Sequence, residues 1–183
     1  MTVGTLERRR LVFVDEMGTH TSLAPLYGYS PRGQRAFFKV PRNRGTNTTL
    51  LASMSSEGMG PSMAIEGPTT KEVFEAYVKH FLAPELKSGQ VVVMDNLSAH
   101  KGKRVRKLIE DSGCQLLYLP PYSPDLNPIE EAFSKVKRLL REIGPRTREV
   151  LVEAIGKALD AVSAKDAIGF FTHCGYRGVK QQL

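Results

Sequence analysis

The first half of the chain consists of short apolar segments separated by turn-forming residues, which is the pattern of β-strands. Leu11–Asp15 is a predicted strand in which apolar and polar residues do not alternate, as is typical of a strand buried on both faces. Thr48–Met54 and Ser62–Ile65 are predicted strands joined through Ser55–Gly60 as a hairpin, and a further strand is predicted near Ala36–Val40. The chain is therefore expected to open as a meander of strands.

From Thr69 onward the apolar positions recur at helical spacing. Thr69 and Glu72 have the spacing of a capping box, and an apolar stripe follows as far as Leu82. Gln90–Asp95 and Cys114–Leu119 are predicted strands. Further helices are predicted over Lys101–Asp111, from Asn127, from Thr147, and around Phe170 and Phe171. A meander followed by such units predicts one domain over residues 1–183 with an α/β fold, in which helices cover a mixed sheet.

Length and composition narrow the class of protein. A chain of 183 residues with 41% hydrophobic and 25% charged residues is typical of one globular domain, which excludes disordered and fibrous classes. No apolar run approaches the roughly 18 residues that a membrane helix needs, so we expect no membrane association. Cys114 and Cys174 show no metal-binding spacing, which favours reduced thiols and a cytoplasmic location.

The charge balance indicates a polyanionic partner. Lys and Arg number 26 against 19 acidic residues, for a net charge of +7, which favours nucleic acid. The basic residues cluster in four groups, and three of these flank the acidic residues discussed next. Each group is either a solvated face or a set of phosphate contacts, and we favour phosphate contacts. The candidate DNA-binding residues are Arg32, Arg35, Arg42, Arg44, Lys101, Lys103, Arg104, Lys135 and Arg138.

Three carboxylates lie at boundaries between predicted elements. Asp15 and Asp95 end buried strands, where an ionised carboxylate is costly unless a cation or hydrogen bonds compensate its charge. Glu130 lies in the first turn of the helix that begins at Asn127. Each has a structural alternative: Asp95 can cap the following loop, and Glu130 is favoured by the helix dipole or a near-capping box. None is diagnostic alone.

The combination of the three indicates a metal site. One helix, one strand and one turn lie between Asp95 and Glu130, enough to return the chain to the same end of the sheet, and Asp15 reaches that end if its strand lies beside Gln90–Asp95. Converging carboxylates require cations, and hard oxygen ligands favour Mg²⁺ or Mn²⁺. Two such ions about 3.5–4 Å apart can stabilise the attacking and leaving oxygens of a phosphodiester displacement.

Neighbouring residues leave alternatives open. Glu131 is the alternative third ligand, although a helix turns it by about 100° from Glu130. Glu16 is expected to point away from Asp15 on its strand. Asn96 and His100 are candidate supporting residues, with Asn96 holding the Asp95 carboxylate and His100 ordering the loop around it.

The chain also resembles a known family over roughly residues 10–178. The most specific segment is Leu119-Pro-Pro-Tyr-Ser-Pro-Asp-Leu-Asn-Pro-Ile-Glu-Glu131. Residues 13–17, 29–34, 94–100 and 171–176 carry the rest of the resemblance. Together these segments are similar to DDE transposases of the mariner-like bacterial insertion-sequence group, in the ribonuclease H-like superfamily. The resemblance implies a ribonuclease H-like fold.

The resemblance implies a specific chemistry for the three carboxylates. Asp15, Asp95 and Glu130 correspond to the catalytic metal-binding triad, which uses Mg²⁺ or Mn²⁺ to cut transposon ends by water attack and then joins the free 3′-hydroxyl to target DNA. It also implies a homodimer and a nucleoid-associated location in a bacterial cytoplasm. Relatives carry a helix-turn-helix region before the first aspartate, and only residues 1–14 precede Asp15. We therefore expect a catalytic domain that depends on a separate DNA-recognition domain or chain.

Two other functions share these carboxylates. One is a ribonuclease H-like nuclease that lacks strand transfer, which the Leu119–Glu131 segment argues against. The other is a catalytically idle transposase fragment that only binds DNA, which the intact triad argues against.

Overall fold

The computed structural model describes residues 7–42, 45–97 and 100–176. Its strands form one mixed sheet in the order β3-β2-β1-β4-β5. β1 pairs antiparallel with β2 and parallel with β4, and β5 extends the parallel part. The strands are β1 (Leu11–Thr19), β2 (Thr48–Ser55), β3 (Gly58–Glu66), β4 (Val91–Met94) and β5 (Gln115–Tyr118). The predicted meander and mixed sheet are confirmed.

Helices cover both faces of the sheet. The face that carries Val12 and Val14 packs against α1, a π-helical turn that continues α1, and α2. The face that carries Leu11 and Phe13 packs against α3, α4 and α5. The helices are α1 (Lys71–Tyr77), the π-helical turn (Val78–Leu82), α2 (Lys103–Asp111), α3 (Pro128–Ile143), α4 (Arg148–Asp160) and α5 (Ala164–His173).

The alternation of side chains along β1 decides where Asp15 faces. Asp15 shares its face with Phe13 and Met17, so it points towards α3. α3 begins with Pro128 in its first turn, where the missing proline N–H costs nothing, and its buried residues anchor it on the same face. Phe13 lies edge-on to Phe171 with ring centroids 5.3 Å apart, which adds α5 to this layer.

The prediction of a strand near Ala36–Val40 is wrong. Residues 20–42 and 45–47, between β1 and β2, contain no regular strand in the described part of the chain. Phe37 and Phe38 have β-forming side chains, but they are 88% and 59% exposed. In the described part of the chain, the sheet is formed by β3, β2, β1, β4 and β5, so this segment has no strand partner in it.

Three details of the helices also differ from prediction. α1 begins one residue later than the predicted capping box, because the hydroxyl of Thr70, not Thr69, accepts the N–H of Val73. Phe81, which belongs to the apolar stripe predicted as far as Leu82, and Val150, an apolar residue of the helix predicted from Thr147, are 42% and 44% exposed. Among the described residues, no helix combines the length and apolar character needed to cross a membrane.

Candidate metal centre

The structure brings the three predicted carboxylates to one cavity. β1 and β4 are parallel neighbours paired through Val14 and Met94, so Asp15 and Asp95 are the next residues at the same edge of the sheet. α3 begins at this edge and carries Glu130 in its first turn. All three residues line a cavity of about 390 Å³. The convergence expected from the order of the elements is therefore present.

Asp15 is the most perturbed of the three. Its side chain is 6% exposed, its Oδ1 accepts the N–H of Glu16 at 2.7 Å, and its Oδ2 accepts Nδ2 of Asn127 at 2.8 Å. Burial, together with the charges of Glu130 and Asp95, raises the pKa of Asp15 to about 7 against the opposing effect of the Glu16 amide hydrogen bond. The carboxylate thus lies where a cation would stabilise its charge.

Asn127 is a site residue that the sequence analysis missed. It was predicted only as the start of a helix, but its side chain makes no capping hydrogen bond. It is buried, and its amide instead joins Asp15 on β1 to the first turn of α3. This also removes the near-capping-box interpretation of Glu130. The signal available in the sequence was its place three residues before Glu130 in the most specific family segment.

His100 and the backbone hold Asp95. Nδ1 of His100 lies 2.5 Å from Oδ1 of Asp95, and the N–H of Leu97 donates to the same oxygen at 3.2 Å. The fully buried His100 ring stacks on Phe74 with centroids 4.1 Å apart. Among the described residues, Asn96 makes no hydrogen bond to Asp95; its side chain lines the cavity instead. His100 is thus placed to order the loop around Asp95.

The two candidate glutamates face different surroundings. Glu130 lines the cavity that contains Asp15 and Asp95. Glu131 pairs with Nδ1 of His173 and lines a neighbouring cavity, of which Glu130 forms part of the wall. Glu131 raises the pKa of His173 through this hydrogen bond and its charge. The geometry favours Glu130 as the third ligand. His173 had no predicted role, because nothing in the neighbouring sequence links it to Glu131.

The predicted DNA-binding residues fall into two classes. Arg32, Arg35 and Arg42 lie on the exposed segment between β1 and β2, and Lys101 and Lys103 line a groove beside the carboxylates. The remaining candidates in the described part of the chain are paired with acidic side chains: Arg104 with Glu75 at 3.7 Å, Lys135 with Asp166 at 2.8 Å, and Arg138 with Glu142 at 2.7 Å. Arg44 lies outside the described residues.

The pairing of Lys135 has a structural purpose. Asp166 also closes the capping box at the start of α5, where it accepts the N–H of Ser163. Lys135, on α3, therefore joins α3 to α5 and strongly lowers the pKa of Asp166. A phosphate would have to compete with this carboxylate for Lys135, so Lys135 is a weaker candidate for DNA contact than Lys101 or Lys103.

The donor set fits divalent cations shared between carboxylates. Within residues 7–42, 45–97 and 100–176, no three His, Cys, Asp or Glu side chains form a ready-made site for a single metal ion. Mg²⁺ does not need such a site, because it is usually held by one or two carboxylates with water and substrate phosphate oxygens filling the other positions. Asp15, Asp95 and Glu130, which line one cavity, meet this requirement.

The raised pKa of Asp15 predicts that replacing this residue with a neutral one increases the stability of the fold by an amount that depends on pH. The folded pKa of about 7 exceeds the ordinary value of 3.8. Folding therefore favours the protonated carboxyl. The contribution of Asp15 to the free energy of unfolding is complete below pH 3.8 and is lost as the pH rises to about 7. In a chelator, Asp15→Asn should be more stable than the parent above pH 7, by up to ~4 kcal/mol, and should lose this advantage at acidic pH.

Urea unfolding at pH 5 and pH 8 in EDTA measures this difference. Asn127 can present either end of its amide, so the new side chain at position 15 keeps a hydrogen-bond partner. A variant that is less stable than the parent at pH 8 would show that Asp15 is a structural hydrogen-bond acceptor and not a strained carboxylate.

Comparison with known proteins places the chain in a family. A family model described as DDE superfamily endonuclease matches residues 10–151. The chain therefore belongs to the DDE superfamily endonuclease family. The Tc1 transposase of Caenorhabditis elegans is 26% identical over 138 residues, which are 73% of this chain and 50% of that protein. The Tcb1 transposase of Caenorhabditis briggsae is 28% identical over 119 residues, 63% and 42% of the two chains. The chain spans about half the length of the curated relatives it matches.

Solved structures share the fold. The Mos1 strand transfer complex matches with a TM-score of 0.72 at 20% identity, over 91% of this chain and 52% of that chain. The catalytic domain of Mos1 mariner transposase matches with a TM-score of 0.64 at 16% identity, over 92% and 78% of the two chains. These similarities confirm the predicted ribonuclease H-like fold.

Proposed function

We propose that the chain is the catalytic domain of a DNA transposase that cleaves DNA at transposon ends and joins the resulting 3′-hydroxyl to target DNA. The observation that carries the proposal is the meeting of Asp15, Asp95 and Glu130 in one cavity, at the ends of β1 and β4 and the start of α3. Membership of the DDE endonuclease family and the similarity to Tc1 transposase support it.

Divalent metal ions, Mg²⁺ or Mn²⁺ and two in number, would be held by these three carboxylates. When bound, such ions supply charge stabilisation to the attacking and leaving oxygens of a phosphodiester displacement. Asp15, Asp95 and Glu130 would each present carboxylate oxygens to such ions from the walls of one cavity. Asn127 and His100 hold Asp15 and Asp95 in place, so the oxygens are oriented before DNA arrives.

In the first reaction the oxygen of water forms a bond to phosphorus, and the phosphodiester bond to the 3′-oxygen breaks to release a 3′-hydroxyl. In the second reaction that hydroxyl forms the new bond to a target phosphorus, and a target 3′-oxygen leaves. Both are displacements at phosphorus, so one set of carboxylates serves both.

DNA partners and assembly are part of the proposal. The solved structures that share the fold include a Mos1 transposase paired-end complex with a left transposon end. For this chain we propose transposon ends and target DNA as substrates, a homodimer as the active assembly, and a separate domain or chain for reading the ends. Tyr27, Tyr29 and Phe37 are 89%, 104% and 88% exposed on the segment between β1 and β2, which supports a contact surface there.

Two assays test the proposed activity. In the first, the chain is incubated with supercoiled plasmid and Mg²⁺ or Mn²⁺, with EDTA as the control, and nicked circles are expected only with metal. In the second, a labelled duplex with a free 3′-hydroxyl end is supplied with a target plasmid, and covalent joining of the label is expected. Nicking without joining, together with cleavage of an RNA–DNA hybrid, would instead favour the ribonuclease H-like nuclease.

A further inference from the structure

A basic groove adjoins the carboxylate cavity on the side of α2. The groove has a volume of about 450 Å³ and is formed by the start of α2, the residues before it and the end of β5. Asn96 lines both the groove and the carboxylate cavity, so the two are direct neighbours. The basic residues of the groove are Lys101, Lys103, Arg106 and Lys107.

The charge of this groove is largely unpaired. The acidic residue in its lining, Glu110, is paired with Arg106 at 3.3 Å. In the described part of the chain, Lys101, Lys103 and Lys107 take part in no ion pair. Arg104, in contrast, lies outside the groove lining and is paired with Glu75 at 3.7 Å. The unpaired positive charge at the start of α2 is therefore concentrated on the side that adjoins the carboxylate cavity.

The wall of the groove is connected to the candidate site. The guanidinium carbon of Arg106 lies over the ring of Tyr118, 5.9 Å from the ring centroid. The hydroxyl of Tyr118 donates a hydrogen bond to the backbone oxygen of His100 at 2.9 Å. His100 in turn contacts Asp95. Contacts through Tyr118 and His100 therefore link the wall of the groove to Asp95, one of the three carboxylates.

We propose that this groove binds the sugar–phosphate backbone of the DNA that passes into the carboxylate cavity, with Lys101, Lys103 and Lys107 contacting phosphates without reading sequence. A carboxylate cavity repels DNA, and three unpaired lysines directly beside it supply the compensating attraction. Lys103 and Lys107 are one helical turn apart, about 6 Å along the axis, so both present their charge to the same groove. The proposal rests on the proposed function, since it assumes that the cavity acts on DNA.

The test measures the salt dependence of DNA binding by the full chain in EDTA, where no cleavage can occur. Fluorescence anisotropy with a labelled 30-bp duplex is recorded from 50 to 300 mM NaCl for the parent, Lys103→Gln and Lys107→Gln. Each lysine variant should reduce the slope of log K against log salt by about 0.9, the value for one lost phosphate contact. Lys157→Gln, which removes the same charge from α4 on the opposite face of the sheet, should leave the slope unchanged.

The outcomes separate this proposal from the function itself. Unchanged slopes for both groove variants, or an equal reduction in Lys157→Gln, would overturn the groove as the DNA path, because only net charge would then matter. Reduced slopes confined to the groove variants would support it. A parent chain that binds in this manner but never nicks DNA would overturn the proposed activity and leave the groove assignment standing. A thermal melt of each variant verifies that these exposed substitutions leave the fold intact.

Discussion

Asp15→Asn, Asp95→Asn and Glu130→Gln are each expected to abolish metal-dependent nicking while leaving the fold intact. Each substitution removes a charged oxygen from the single cavity in which the three residues meet. Loss of metal-supplied stabilisation worth several kcal/mol corresponds to a loss of at least ~10³-fold in rate, because about 1.4 kcal/mol is a factor of ten. The measurement is the initial rate of plasmid nicking in Mg²⁺ and in Mn²⁺, with circular dichroism as the check on folding.

Two further variants make this result specific. Glu153→Gln, an exposed carboxylate paired with Lys157 on α4, is the control and should nick at the parental rate. Glu131→Gln decides the position of the third ligand, since Glu131 turns to His173 and should be dispensable for holding metal. Normal nicking by Glu130→Gln together with loss in Glu131→Gln would reassign the ligand to Glu131.

The convergence of the carboxylates was predictable because it follows from element order. Leu11–Val14 and Val91–Met94 are unbroken apolar runs, which is how strands buried on both faces are recognised. Parallel strands end at the same edge of a sheet, so two aspartates that each follow such a run meet once the strands are neighbours. Pro128 at the start of α3 likewise fixes the position of Glu130, because proline is favoured in the first turn.

What the sequence did not reveal depends on contacts between distant residues. Asn127 has the local features of a helix cap. Only the position of β1 shows that its side-chain amide donates a hydrogen bond to Asp15. The pairing of Glu131 with His173 likewise needs α5 to pack on α3. The prediction of a strand near Ala36–Val40 fails because a distant contact is missing. Its residues favour a strand, but in the described part of the chain no partner strand lies beside it.

Replacing Asn127 is expected to weaken metal binding and nicking about 10- to 100-fold without removing any proposed ligand. In Asn127→Ala the Oδ2 atom of Asp15 loses its buried donor, so the carboxylate is free to leave the orientation in which the metal meets it. The expected signature is a higher Mn²⁺ concentration at half-maximal nicking, with partial recovery in excess Mn²⁺. The shift in melting temperature on adding Mn²⁺ should shrink in parallel, which reports metal binding without turnover.

Asn127→Asp separates this positioning role from helix capping. Aspartate caps helices as well as asparagine does, and it has nearly the same shape, but its ionised side chain cannot donate a hydrogen bond to Asp15. If Asn127 served only to begin α3, Asn127→Asp would retain parental nicking and parental metal affinity. If it holds Asp15, the variant should lose at least as much as Asn127→Ala, because a fourth negative charge then faces a buried carboxylate whose pKa its neighbours already raise. The buried hydrogen bond and the absence of a capping bond both lead us to expect the second result.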